Sequence, residues 1–252
     1  MATTMNRKEK QGLYDPQFEH DSCGVGFIVN IDGRLSHDII TDGLTILKNL
    51  VHRGAIGGDM KTGDGAGMLI QIPHVFFERT CKKTGFSLPA QGAYGIGFFF
   101  LPQNQDTRLK LESSIEYIIK KEGCAVLGWR DVPVLPGCLG ELALSAMPFM
   151  RQLFIGCEGL SGDSLERKLY VVRKCIEQDA RDSGFSLDEF YIPSLSSRTI
   201  TYKGMFDAPL LEMFYLDFAD PDFQSSLAVI HQRYSTNTFP SWPLAQPFRY
   251  LA

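Results

Sequence analysis

Val25, Phe27, Val29 and Ile31 alternate with smaller or more polar neighbours, and this period of two predicts a strand buried on one face. Asp32-Gly33 supplies the turn that ends it. Over residues 42–52 the apolar positions Leu44, Leu47, Leu50 and Val51 recur at helical spacing, with Thr41 or Asp42 placed to cap the first turn. Residues 63–67, Gly-Asp-Gly-Ala-Gly, read as a tight turn into a strand over 68–72; residues 93–101 and 124–129 read as further strands. Between those two strands, residues 106–122 place Leu111, Ile115, Ile118 and Ile119 on one stripe of an amphipathic helix. A strand over 151–156 follows, then a strong helix over 163–183 with Leu165, Leu169, Val172 and Ile176 on one face, and strands over 199–203 and 227–233. Hairpin-like turns and alternating rather than continuous apolar runs favour antiparallel sheets, so the class is α+β. No repeat, low-complexity tract or long linker divides the chain.

Composition narrows what such a domain can do. With 252 residues, 44% hydrophobic and 12% aromatic, the chain has the material for a sizeable core. A net charge of -4 provides no broad basic field, which argues against nucleic acid and anionic membranes as partners. A small-molecule substrate or a protein partner fits better. No apolar stretch approaches the roughly 20 residues that span a bilayer. The first 22 residues are polar and carry Glu9, Asp15, Glu19 and Asp21, unlike a signal or transit peptide. The cysteines at 23, 81, 124, 138, 157 and 175 form no Cys-x-x-Cys pair and no Cys/His cluster, so no metal site is expected. Without an export signal, the expectation is a cytoplasmic protein with reduced thiols.

Two segments carry candidate chemistry. Asp21-Ser22-Cys23-Gly24-Val25-Gly26-Phe27 puts a thiol at the start of a strand, flanked by glycine and preceded by an expendable polar leader. Cleavage before Cys23 creates an α-amino group with an unperturbed pKa of about 8, close enough to neutrality to accept the thiol proton. One residue is then nucleophile and base together. The second segment, 231–242, passes from a strand into a loop rich in hydroxyls and amides, where Arg233 can hold a substrate carboxylate through two parallel hydrogen bonds. The alternative for Arg233 is a surface salt bridge. In His52-Arg53-Gly54-Ala55 a helix ends at a glycine, and Arg53 can simply neutralise the carbonyl end. Residues 63–67 lack the Gly-Lys-Ser/Thr ending of a phosphate loop and read as a turn.

Taken in order, Asp-Ser-Cys-Gly-Val-Gly-Phe at 21–27, His-Arg-Gly-Ala at 52–55, Gly-Asp-Gly-Ala-Gly at 63–67, Tyr-Lys-Gly-Met at 202–205 and the 231–242 block followed by Ala245-Gln246-Pro247-Phe248 resemble the N-terminal type-2 glutamine amidotransferase domain of the glutamate synthase large subunit. The resemblance runs from about Tyr14 to the last residue. It implies an N-terminal-nucleophile hydrolase fold, a four-layer αββα sandwich of two antiparallel sheets between helices. It also implies residues 1–22 as a propeptide removed on maturation and 23–252 as the amidotransferase domain. In the implied chemistry Cys23 attacks the side-chain amide of L-glutamine, a thioester forms, and ammonia leaves for glutamate synthesis from 2-oxoglutarate elsewhere in the full protein. Arg233 would hold the glutamine α-carboxylate, with Thr236 on the same loop and Arg53 near the pocket. No cofactor is implied within this chain, whereas FMN and an iron-sulfur cluster are implied for the full-length protein. The implied partners are the downstream synthase domains of the same polypeptide and a small electron-transfer subunit or ferredoxin.

The resemblance also marks a departure. Family members continue beyond the equivalent of Ala252 into His-Asn-Gly, whose Asn and Gly supply the oxyanion hole, so the sequence reads as incomplete at its C-terminus. Loss of one such donor typically costs about 100- to 1,000-fold in rate, and the 252 residues alone are expected to be nearly inactive. The alternatives are another type-2 amidotransferase, disfavoured by the long stretch between His52 and His231 and by the Tyr-Lys-Gly block, or a non-catalytic module that binds glutamine or a partner.

Overall fold

The computed structural model describes residues 23–235 and 238–249. Its strands form two antiparallel four-stranded sheets accompanied by helices: the α+β class follows the alternating pattern, and the pair of sheets follows the resemblance. The first sheet has the order β1 (Gly24–Val29), β8 (Leu227–Gln232), β2 (Thr62–Gln71), β7 (Thr199–Phe206). The second has the order β4 (Ala125–Asp131), β5 (Phe149–Gly156), β3 (Tyr94–Leu101), β6 (Tyr191–Ser196). Long-range pairing therefore brings the first strand against the last, with Gly24 opposite Gln232 and Val29 opposite Leu227.

In the second sheet α3 (Gln105–Lys121) joins β3 to β4 and α5 (Gly162–Asp182) joins β5 to β6, giving a β-α-β-β-α-β unit of the ferredoxin-like kind. Both helices lie on one face. Leu111, Ile115 and Ile119 of α3 and Leu165, Leu169, Val172 and Ile176 of α5 bury against Phe99, Leu101, Leu153 and Ile155. Asn104 starts α3 by accepting the Thr107 amide at 2.9 Å, and a Ser161/Ser164 capping box starts α5. The opposite face, with Ile96, Phe98, Phe100 and Phe154, joins a larger core that includes Phe76 and Phe77 of α2 (His74–Lys83) and Tyr202 and Phe206 of β7.

A buried polar network stitches the two sheets together. Arg130 of β4 donates to both carboxylate oxygens of Asp217, at 2.6 and 2.9 Å, and to Gln152 of β5 at 2.7 Å. Tyr202 of β7 donates to Asp217 at 2.8 Å and accepts from Gln152 at 2.8 Å. With every member paired, the network escapes the cost of an orphaned buried charge.

Several expectations need correction. The β1 alternation is present, but its apolar row faces outward: Val25, Phe27, Val29 and Ile31 are 59, 73, 49 and 95% exposed. The inward side is Gly24 and Gly26, which lie under α1 (Asp38–Asn49); a Cβ at Gly26 would sit 2.8 Å from Ile46. Helix α1 begins four residues before the expected start, because Ile39 and Ile40 extend its buried stripe toward the N-terminus. Residues 63–67 are no turn; they lie inside β2, where the register shifts between Thr62 and Ala66 as a bulge. Cys124 and Cys157 form a disulfide with a Cα separation of 4.4 Å, against the expectation of reduced thiols. They flank the paired residues Ala125 and Gly156, and the β4–β5 register sets them face to face. Helix α2 and strand β6 had no sequence signal strong enough to predict them.

Candidate active site

The first and last strands meet at the candidate nucleophile. Because Gly24 pairs with Gln232, Cys23 comes level with the residues that leave β8. The Tyr234 amide donates to Cys23 Sγ at 3.3 Å, and the thiol is 3.6 Å from the Tyr234 carbonyl. Cys23 is half-buried, so the sulfur is both held and reachable. Glycine follows it for a steric reason: a Cβ at position 24 would lie 3.0 Å from the Cβ atoms of both Leu50 and Arg53. Arg53, in a single helical turn (Val51–Arg53), thus stands beside the residue next to the nucleophile.

Arg233 sits one residue from Tyr234 and is buried. Its guanidinium donates to the Asp64 carbonyl at 3.1 Å, to Ser235 Oγ at 3.0 Å and to Thr238 Oγ1 at 2.6 Å. None of these acceptors is a carboxylate. A desolvated cation surrounded by neutral oxygens is costly, and the arrangement leaves its charge available to an incoming anion.

Asp64 is the residue that sequence reasoning missed. Its amide donates to the Ala55 carbonyl at 3.1 Å, its carbonyl accepts from Arg233, and its carboxylate accepts the Ser235 amide at 2.5 Å. One buried residue on the β2 bulge therefore ties the segment after Arg53 to the Arg233 loop. The bulge makes this possible, since Gly65, at φ +128°, adopts a conformation that side chains other than glycine disfavour, and its carbonyl accepts the Arg233 amide at 2.8 Å. The only sequence hint was an acid set among glycines.

Two further buried groups border the site. Gln232 packs against Gly54, and among the described residues neither end of its amide has a hydrogen-bond partner. His231 Nε2 is likewise unpartnered, and burial together with the nearby Arg233 charge lowers the His231 pKa to about 4, so the ring is a neutral imidazole near pH 7. Of the expected site residues, Cys23, Arg53 and Arg233 converge here, while Thr236 and the leader 1–22 lie outside the described residues. Among the described residues no group of three or more His, Cys, Asp or Glu could hold a metal ion or anchor an iron-sulfur cluster. No described helix is long and apolar enough to cross a membrane.

Comparison with known proteins identifies the family of the domain. The family model for class-II glutamine amidotransferases matches residues 23–252, starting at Cys23 itself. The chain is 47% identical to the glutamate synthase [NADPH] large chain of Bacillus subtilis over 98% of its length, and 44% identical to that of Azospirillum brasilense over 95%. It is 41% identical over 97% to the chloroplastic/mitochondrial ferredoxin-dependent glutamate synthase 1 of Arabidopsis thaliana. The chain spans 16, 16 and 15% of these three proteins.

Proposed function

The chain belongs to the class-II glutamine amidotransferases, and from that premise we propose that Cys23 is the nucleophile of a glutaminase that feeds ammonia to glutamate synthesis elsewhere in a longer polypeptide. The observation that carries this reading is the junction at Tyr234. One peptide unit donates to the Cys23 sulfur while the preceding residue holds a buried guanidinium with no carboxylate among its acceptors.

The chemistry runs through these residues. Removal of residues 1–22 frees the Cys23 amine, which takes the thiol proton as sulfur attacks the side-chain carbonyl of glutamine. The amine returns that proton to the departing nitrogen, ammonia leaves, and water then cleaves the thioester to glutamate. Arg233 holds the glutamine α-carboxylate, with Thr236 on the same loop, and Arg53 supports the pocket from beside Gly24. The Tyr234 amide donates to the sulfur and holds it in place at the end of β1.

For the whole protein we infer a glutamate synthase in which downstream domains consume the ammonia. FMN and an iron-sulfur cluster are part of this proposal for those downstream domains. Relatives named for NADPH and for ferredoxin both match, so either donor fits the amidotransferase. A cytoplasmic location is part of this proposal.

Cys23→Ala in the full-length enzyme tests the reading. It should abolish glutamine-driven synthesis and spare ammonia-driven synthesis; equal loss of both would reduce Cys23 to a structural role. Intact-mass measurement supplies a second check, since a purified, active protein that retains residues 1–22 has no free Cys23 amine.

A further inference from the structure

Lys203, the centre of Tyr-Lys-Gly-Met, is the most deeply buried cation outside the chemistry described above, at 1% exposure. Its ammonium donates to the backbone carbonyls of Pro243, at 2.7 Å, and Ala245, at 2.6 Å. The rings of Tyr191 and Phe248 lie 4.5 and 5.0 Å from the same nitrogen. Burial first, then the neighbouring Arg249 and Arg233 charges, holds its pKa well below the usual lysine range. A methionine here would spare the fold a buried charge, so stability alone does not account for a lysine.

The segment Lys203 grips is the direct continuation of the Arg233 loop. It is fastened at three further points. Trp242 is buried among Phe100, Phe206 and Phe214 and donates to the Ala143 carbonyl at 3.0 Å. Ala245 rests on Gly65, where an added Cβ would lie 2.6 Å from the alanine methyl. The Gln246 carbonyl sits over Gly67, 2.5 Å from where a Cβ would be. Gly67 pairs with Lys203 in the sheet, so the glycine makes room for the segment that the lysine holds down.

We propose that Lys203 is a positioning residue for glutamine binding: by clamping Pro243 and Ala245 against the Gly65/Gly67 cradle, it fixes the β2 bulge whose Asp64 orients Arg233 and Ser235. The path is continuous, from the Lys203 ammonium to the Ala245 carbonyl, from Ala245 to Gly65, from the adjoining Asp64 carbonyl to the Arg233 guanidinium and from its carboxylate to the Ser235 amide. This inference rests on the proposed binding of glutamine by Arg233.

Lys203→Met in the full-length enzyme, read through steady-state kinetics and hydrogen exchange, tests it. A displacement of about 1 Å at a binding group costs on the order of 100-fold, so glutamine kcat/KM should fall ~10- to 100-fold, mostly through KM. Ammonia-driven synthesis should stay within about twofold, and the amides of Leu244, Ala245, Gln246 and Phe248 should exchange faster. Glutamine KM within about twofold of wild type in the folded variant would overturn the proposal, as would parallel loss of glutamine- and ammonia-driven rates. Should Lys203→Met not fold, Gly67→Ala lifts the same segment from the other side and must give the same KM-dominated loss. A wild-type enzyme without glutaminase activity would instead sink the proposed function itself.

Discussion

Arg233→Met is the sharpest probe of the candidate site, because binding should fail while folding stays nearly unchanged. The guanidinium is buried and its three acceptors among the described residues are neutral, so within them the fold bears the desolvation of a charge that no carboxylate contact compensates. Replacing it with an apolar side chain of similar length removes that burden but leaves the Asp64 carbonyl and two hydroxyls to find other partners. The two effects nearly cancel, and Tm should stay within a few degrees of wild type. Glutamine binding should respond differently. Truncating one partner of a buried, hydrogen-bonded charge pair costs roughly 2 to 5 kcal/mol, which at about 1.4 kcal/mol per decade is ~30- to 4,000-fold in kcat/KM. The assay is ammonia release from glutamine, run beside glutamine α-amide, in which the carboxylate is neutralised. Wild type should prefer glutamine strongly and Arg233→Met should show almost no preference, a coupling that isolates the pair. If the variant retains the wild-type preference, Arg233 does not bind the carboxylate, whatever its absolute rate.

Three more outcomes follow from the described contacts. Asp64→Ala removes the charge-assisted hydrogen bond to the Ser235 amide, worth about 1.5 to 3 kcal/mol; glutamine kcat/KM should drop ~10- to 150-fold, and unchanged kinetics would show that the Arg233 loop holds itself. Asp217→Ala leaves Arg130 buried without its carboxylate and should lower unfolding free energy by about 3 to 5 kcal/mol in a denaturant titration; a loss below about 1 kcal/mol would mean that Gln152 and water suffice. His231 has its folded pKa depressed to about 4, below an ordinary value near 6.5, so the neutral ring's contribution is fully present above pH ~6.5 and is lost as pH falls toward 4. That window carries up to about 3 kcal/mol, and His231→Leu should flatten stability between pH 6.5 and 4 relative to wild type.

How much could be read from the sequence depended on whether the cause was local. Helices α3 and α5 were legible because their stripes, Leu111 to Ile119 and Leu165 to Ile176, repeat at the period of the element itself. Helix α2 was not, since Phe76 and Phe77 are adjacent and give no such period. Strand β6 contains Pro193 with serines after it, a sequence that suits only the sheet edge it occupies. For β1, alternation revealed two faces but could not say which one the protein covers. The candidate site divides in the same way. Cys23 and Arg233 stood out through their own chemistry, whereas Asp64 acquires a role only when a bulge carries it to residues 171 positions away. Glycine density at 63–67 imitates a turn, yet two of those glycines are required by Ala245 and Gln246, which approach from the far end of the chain.

The Tyr234 peptide touches the sulfur, and the guanidinium proposed to hold the carboxylate belongs to its immediate neighbour. Nucleophile and anchor are thus separated by a fixed length of backbone, and the site works as a ruler laid along the substrate. With the proposed roles of Cys23 and Arg233, glutamine should span it, whereas asparagine, one methylene shorter, should satisfy the anchor or reach the sulfur, and not both. Selectivity for the longer amide then arises from skeleton length, with no pocket wall needed to exclude the shorter one.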